Sequence, residues 1–246
     1  MTARLVSLLA LLAAWQVGSG IAGARLLPAP AAVAAALLVE ARDGALFFNL
    51  GVTLARVVAA FAIAMILGSA LGVLMGRSRL VDKLADPWLV VLLNLPALVI
   101  IVLAYIWGGL TETAAIAAVA LNKLPSATVT LREGARALDP QLDDMARAFV
   151  FSRASWLRHV ALPQLAPYIA SASRAGLSLV WKIVLVVELI GRPNGVGFEI
   201  GSAFELFDVT RILAYSLAFV AVMLGVELCL VQPFERHVAR WRPARA

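Results

Sequence analysis

Residues 139–163 read DPQLDDMARAFVFSRASWLRHVALP. Asp139 supplies an N-cap acceptor, and Pro140 has the fixed φ that suits a first helical position. Asp143 and Asp144 follow in the first turn, where carboxylates favour the positive end of a helix. The spacing predicts a short helix over Pro140–Val150. Ser152 predicts the cap of a second helix, from Arg153 to about Val160, and Leu162-Pro163 predicts its end. On both sides of this polar stretch the chain becomes strongly apolar, and that setting decides the class of fold.

Of the 246 residues, 62% are hydrophobic and 15% are charged. A soluble domain of this length carries about 25% charged residues. The surplus apolar side chains have no interior large enough to hold them, so they face lipid. Six runs are long enough to span a bilayer: Leu5–Ile21, Leu46–Met75, Pro87–Trp107, Thr111–Leu131, Pro167–Ile190 and Arg211–Val231. The expected fold is an all-α membrane protein of six transmembrane helices. No barrel-type alternation appears. Leu5–Ile21 reads as a retained helix, with a signal peptide ending at Ala22-Gly23-Ala24 as the alternative. Pro28-Ala29-Pro30 then breaks the chain, and Ala31–Val39 reads as a short helix outside the membrane. Gly68-Ser69-Ala70 and Gly72 allow another helix to approach the second span closely. Pro96 predicts a kink inside the third span.

Charge orients these helices. The net charge is +6, and the Lys and Arg residues sit in short segments between apolar runs. That distribution is a topology signal, not a nucleic-acid face. The loops after the second and fourth spans and the C-terminal tail carry three, five and four Lys/Arg, against two, none and one for the other loops. Both termini are therefore expected in the cytoplasm. Cys229 is alone, and His159 and His237 are far apart, so neither a disulfide nor a metal site is expected.

The loop between the fourth and fifth spans resembles the hallmark of binding-protein-dependent ABC importer permeases. That hallmark is Glu-Ala-Ala, three residues, Gly, nine residues, Ile or Val, one residue, Leu-Pro. Here Asp144-Met145-Ala146, Val150, Val160 and Leu162-Pro163 stand at the same spacing. Asp144 replaces the usual Glu and Val150 the usual Gly, which would ease a bend. Thr53-Leu54-Ala55-Arg56, Leu138-Asp139-Pro140, Trp181-Lys182 with Glu188, and Gly195-Val196-Gly197-Phe198 look like the nitrate/sulfonate/taurine-type branch, over about residues 45–242. The resemblance implies an N-terminal helix and periplasmic connector in residues 1–45. It implies a permease core in 46–242, with a cytoplasmic coupling loop at 132–163. It further implies an inner-membrane importer subunit whose coupling helix docks on a separate ATP-binding subunit through Asp143, Asp144, Ala146, Arg147, Phe149, Val150 and Ser152. A periplasmic substrate-binding protein and a second permease copy are the other implied partners, besides membrane lipid. No Gly-x-x-x-x-Gly-Lys-Ser/Thr phosphate cradle is present, so no cofactor is expected on this chain and ATP would be used by the partner.

Charges within spans cost at least ~2.5 kcal/mol at the helix centre and require a partner or a wet cavity. Arg56, Lys123, Arg174, Lys182 and Glu188 are such charges. Lys123, Lys182 and Glu188 are candidates to line or gate a path for a small anionic solute; the alternative is structural ion pairing. Arg56 and Arg174 are expected to snorkel towards an interface. Glu188 lies six residues past Lys182, on another face, so it must find its partner on a second helix or in the next loop. The Gly191–Gly201 loop, with Gly195 and Gly197, reads as a periplasmic gate or as a plain connector. A secondary transporter would need internal repeats, and none is evident. A membrane enzyme would need a cluster of reactive side chains, and the two separated histidines argue against one.

Overall fold

The computed structural model describes residues 2–233. The basic tail, with His237 and the expected core boundary at 242, lies outside the described residues. Eleven α-helices and two π-helical turns, with no strand, make up the described chain. It divides into two compact units. Among the described residues, one unit holds 2–55 together with Leu185–Gly225; the other holds Arg56–Val184 and 226–233.

In the first unit, α1 (Thr2–Ala22) is followed by α2 (Pro30–Arg42). The Trp15 indole N–H donates to the Pro28 carbonyl at 3.0 Å and ties the connector to α1. The start of α3 (Ala45–Arg77), the end of α9 (Leu162–Gly191), α10 (Val196–Glu205) and most of α11 (Val209–Val226) complete this unit. The sequence places a loop at Gly191–Gly201, but the structure begins α10 at Val196. The cause is tertiary: side chains from other helices satisfy the first N–H groups of α10, as described below.

The second unit is built on close packing of α3 against α6 (Glu112–Arg136). Gly68 and Gly72 fulfil the expected close approach, and Gly76 extends it by another turn. A Cβ on Gly68 would lie 2.8 Å from Ala127 Cβ, and one on Gly76 would meet Ala135. Around this seam lie Met65, Ala127, Leu131, Ala135, Leu138, Ala161, Leu165 and Ala172, with Phe61, Tyr168 and Trp156 packed on them. Small residues on facing helices are what apolar surroundings reward, since van der Waals contact is the main force left between helices in lipid.

The expected third span is not one helix. It is α4 (Arg79–Asn94) and α5 (Ala97–Gly108), bent by 101° at the break. Pro96 crowds the residue before it, and Leu95 accordingly leaves the helical region at ψ 127. The N-terminal half of α4 is polar and tethered: Arg136 reaches Asp82 at 2.7 Å, and Arg132 reaches Asp86 at 2.5 Å. Among the described residues, four helical segments are long and apolar enough to cross a membrane: Leu5–Ala22, Ala45–Arg77, Glu112–Arg136 and Val209–Val231; the bent pair makes a fifth if it counts as one span. The expected fifth span lies in α9, a helix of 30 residues that carries Arg174, Lys182 and Glu188.

Two corrections concern prolines and arginines. Leu162-Pro163 does not end a helix. A π-helical turn at Leu157–Ala161 joins α8 (Arg153–Trp156) to α9, and the Leu162 N–H donates back to Leu157. The widened turn absorbs a proline that has no N–H to offer. Arg56 does not snorkel. It is 4% exposed and forms a two-pronged pair with Glu112, at 2.9 Å and 2.5 Å. Arg174 is half-exposed and lies 3.6 Å from Glu227.

Candidate functional site

The polar loop of the second unit folds largely as its caps dictate. The Asp139 carboxylate accepts the Gln141 N–H at 2.8 Å and opens α7 (Pro140–Ala148). The Asp139 N–H donates to Gln164 at 2.8 Å, which fixes the loop against the start of α9. At the other end, the Phe151 N–H donates to the Ala146 carbonyl and the Val150 N–H to the Arg147 carbonyl. This pair of bonds is a Schellman closure, and it places Val150 at the left-handed position, φ +50. Glycine belongs there; a β-branched residue pays about 1–2 kcal/mol for the Cβ contact. Val150→Gly is therefore expected to raise the thermal midpoint of the purified protein by a few degrees, and a lowered midpoint would contradict the reading. Ser152 caps α8 by accepting the Ser155 N–H at 3.1 Å.

This backbone sorts the loop residues into two sets. Asp144 and Arg147 point outward, 74% and 78% exposed. Phe149 and Val150 form an apolar tip, 73% and 86% exposed. Asp143 and Ala146 point inward. Asp143 accepts from Arg77, the last residue of α3, at 2.7 Å, and from the Trp156 indole N–H at 2.7 Å. The Arg77 guanidinium also lies over the Trp156 ring, 5.3 Å from its centre. Asp143 is thus an anchor for α7, and its partners Arg77 and Trp156 carry no local signal in the sequence. Burial opposes ionisation of Asp143, but the bonds from Arg77 and Trp156, with the nearby Arg147 charge, together hold its carboxyl below the usual range. A depressed carboxyl stabilises the fold above its unfolded value and loses that contribution as pH falls through the folded one. The stability difference between the parent and Asp143→Asn should stay constant down to about pH 4 and vanish only below it; thermal unfolding across pH measures this.

The first unit holds a buried polar network around Glu188, which is 0% exposed. The Thr53 hydroxyl lies 2.9 Å from both carboxylate oxygens and donates to the carboxylate. The Gly197 N–H donates to Glu188 at 2.8 Å, the Val196 N–H to Thr53 at 2.9 Å, and the Gly195 N–H to Asn49 at 2.8 Å. Three consecutive N–H groups at the start of α10 are thereby capped by α3 and α9, and the carboxylate sits at the positive helix end. Gly195 has φ +105, and a Cβ there or on Gly197 would overlap Glu188. Asn49 continues the network to Glu199, which pairs with Arg211 at 2.9 Å. Arg211 and the Tyr215 hydroxyl both reach Glu40, at 3.0 Å and 2.7 Å.

The structure therefore brings Glu188, Gly195 and Gly197 together. Lys123 and Lys182 belong to the other unit. Lys182 is exposed on α9. Lys123 is 2% exposed, and its ammonium donates to Ser126 at 2.8 Å. Gly176 leaves the notch that its side chain fills. Thr53 and Asn49 belong to the same site as Glu188, and their spacing of one helical turn on α3 is the sequence signal for them.

Long apolar helices with a capped, exposed helical loop between two of them define a polytopic membrane protein. The chain belongs to the family of binding-protein-dependent transport system inner membrane components, whose model matches residues 64–240. It is an ABC importer permease, an integral, multi-pass inner-membrane protein, of the sulfonate/taurine/nitrate-type branch. It is 31% identical to the permease protein SsuC of Escherichia coli (strain K12), named for aliphatic sulfonates transport, over 95% of this chain and 89% of that one. It is 28% identical to the taurine transport system permease protein TauC of the same strain, over 87% and 80%. Its fold is similar to the inward-facing MetNI methionine ABC transporter, with a TM-score of 0.70 at 16% identity, over 82% of this chain and 99% of that one.

Proposed function

We propose that this permease moves a small anionic solute of the sulfonate, nitrate or taurine type into the cytoplasm, driven by a separate ATP-binding subunit that docks on α7. The observation that carries the reading is the exposed tip of the loop, where Phe149 and Val150 project beside the charged pair Asp144–Arg147. Exposed aromatic side chains of this kind serve as anchors of partner interfaces. In this reading the permease is non-catalytic and binds no cofactor; ATP stays on the partner. A periplasmic binding protein delivers the solute, and a second copy of the chain completes the path. In this reading both termini are cytoplasmic, in line with the Lys/Arg bias of the loops.

The anionic substrate class is supported by the names of the relatives, which concern aliphatic sulfonates, taurine and, for CmpB of Synechococcus elongatus (strain ATCC 33912 / PCC 7942 / FACHB-805), bicarbonate. Lys123 and Lys182 supply cationic groups suited to such solutes. Glu188, Gly195 and Gly197 act as the frame that holds the start of α10 at the periplasmic gate.

The docking role is tested with Phe149→Ala in the reconstituted importer. Loss of a central aromatic anchor costs about 2 kcal/mol or more, so binding of the ATPase should weaken by at least about thirtyfold and uptake should fall with it. Permease abundance in the membrane should be unchanged. Uptake and ATPase binding equal to the parent's would sink the proposal.

A further inference from the structure

The clasp at Asp143 leaves a cavity of about 190 Å³ beside it, walled by Arg77, Ala146, Arg147, Phe151, Arg153 and Trp156. Three guanidinium groups share this space with the one carboxylate of Asp143. Both oxygens of that carboxylate are engaged, by Arg77 and by Trp156. Arg147 meets Asp144 only across 3.6 Å at a water-exposed position, and Arg153 makes no ion pair among the described residues. The cavity therefore carries surplus positive charge. Guanidinium forks match the oxygens of phosphate in a bidentate geometry.

A second observation says where such a phosphate would come from. Arg77 ends α3, and Ile63, Leu67, Ala70, Leu74 and Arg77 follow one another at spacings of four and three residues, all exposed. Those spacings keep them on one face of the helix. An apolar stripe thus descends a membrane-spanning segment and ends at an arginine in the cavity. Acyl chain and headgroup have complementary places on one continuous surface. Basic pockets at the membrane surface hold anionic lipid headgroups through their Lys and Arg side chains.

We propose that the arginine-walled cavity binds the phosphate of an anionic phospholipid, whose acyl chain lies along the Ile63–Leu74 stripe of α3. The bound lipid links the end of α3 to the foot of α7 and reinforces the Arg77–Asp143–Trp156 clasp. This inference does not depend on the docking of an ATPase.

The test uses the purified full-length permease with equal amounts of phosphatidylglycerol and phosphatidylcholine, and counts retained lipids by native mass spectrometry. The parent should retain phosphatidylglycerol preferentially. Arg147→Gln combined with Arg153→Gln should reduce that preference by about thirtyfold. The charge-preserving pair Arg147→Lys with Arg153→Lys should retain most of it, and Arg158→Gln, outside the cavity, should retain all of it. An unaltered preference in the Gln pair overturns the proposal. So does displacement of nothing but inorganic phosphate from the site, which would assign a free anion. Unchanged lipid retention with weakened ATPase binding also overturns it and assigns the cavity to an acidic side chain of that partner.

Discussion

Glu188→Leu is expected to abolish uptake and to release the start of α10. Leucine matches glutamate roughly in size but offers no acceptor to the Thr53 hydroxyl or the Gly197 N–H, both of which donate to Glu188 in a buried setting. Each buried donor left without an acceptor costs about 1–3 kcal/mol, and two are left here because neither can return to water. The loss is local first. Hydrogen exchange at Val196 and Gly197 should accelerate by about a hundredfold or more, while amides of α6 remain protected. Glu188→Gln should do less harm, since its carbonyl still accepts one of the two bonds, although its NH₂ then faces a donor. Equal protection of Val196 and Gly197 in the parent and in Glu188→Leu would show that the carboxylate does not hold this turn.

The second large effect belongs to the other unit. Gly72→Leu is expected to prevent α3 and α6 from packing. A Cβ alone on Gly72 would stand 2.5 Å from the Thr128 carbonyl oxygen and 2.9 Å from Leu131 Cβ. The obstacle is partly backbone, so no rotamer change relieves it, and the helices must move apart along the whole Gly68–Gly76 seam. Overpacking costs about 1–3 kcal/mol even where side chains give way; here the expected result is loss of the monodisperse folded protein on size-exclusion chromatography. The same helix supplies the control. A Cβ on Gly51 meets nothing within 4 Å, so Gly51→Ala should leave the protein intact and raise its stability by up to about 1 kcal/mol. A folded, monodisperse Gly72→Leu protein would refute the seam.

The loop was legible in the sequence because its signals are local. Asp139 and Ser152 cap helices that begin within three residues of them, and a cap needs only its own turn. The family motif was readable for the same reason. Val150 shows where that legibility thins: the bend occurs at the expected residue, but only the structure shows that valine accepts φ +50 to close it. The break at Leu95–Pro96 was visible as a proline and invisible as an angle of 101°. Leu162-Pro163 read as a stop because the π-helical turn that accommodates it leaves no mark in composition.

By itself the sequence determined that this chain lies in a membrane as helices, that small residues on the second span admit a neighbour, and that a capped polar loop divides the apolar runs. Each of these follows from hydrophobicity, backbone propensity and spacing within one or two helical turns. Only the tertiary structure decided which charges find partners: Asp143 with Arg77 and Trp156, Arg56 with Glu112, Glu188 with Thr53 and the turn at Gly195–Gly197. Those pairs join residues from separate helices, and a buried charge is satisfied by whatever donor or acceptor packing brings within 3 Å, not by its neighbours in the chain.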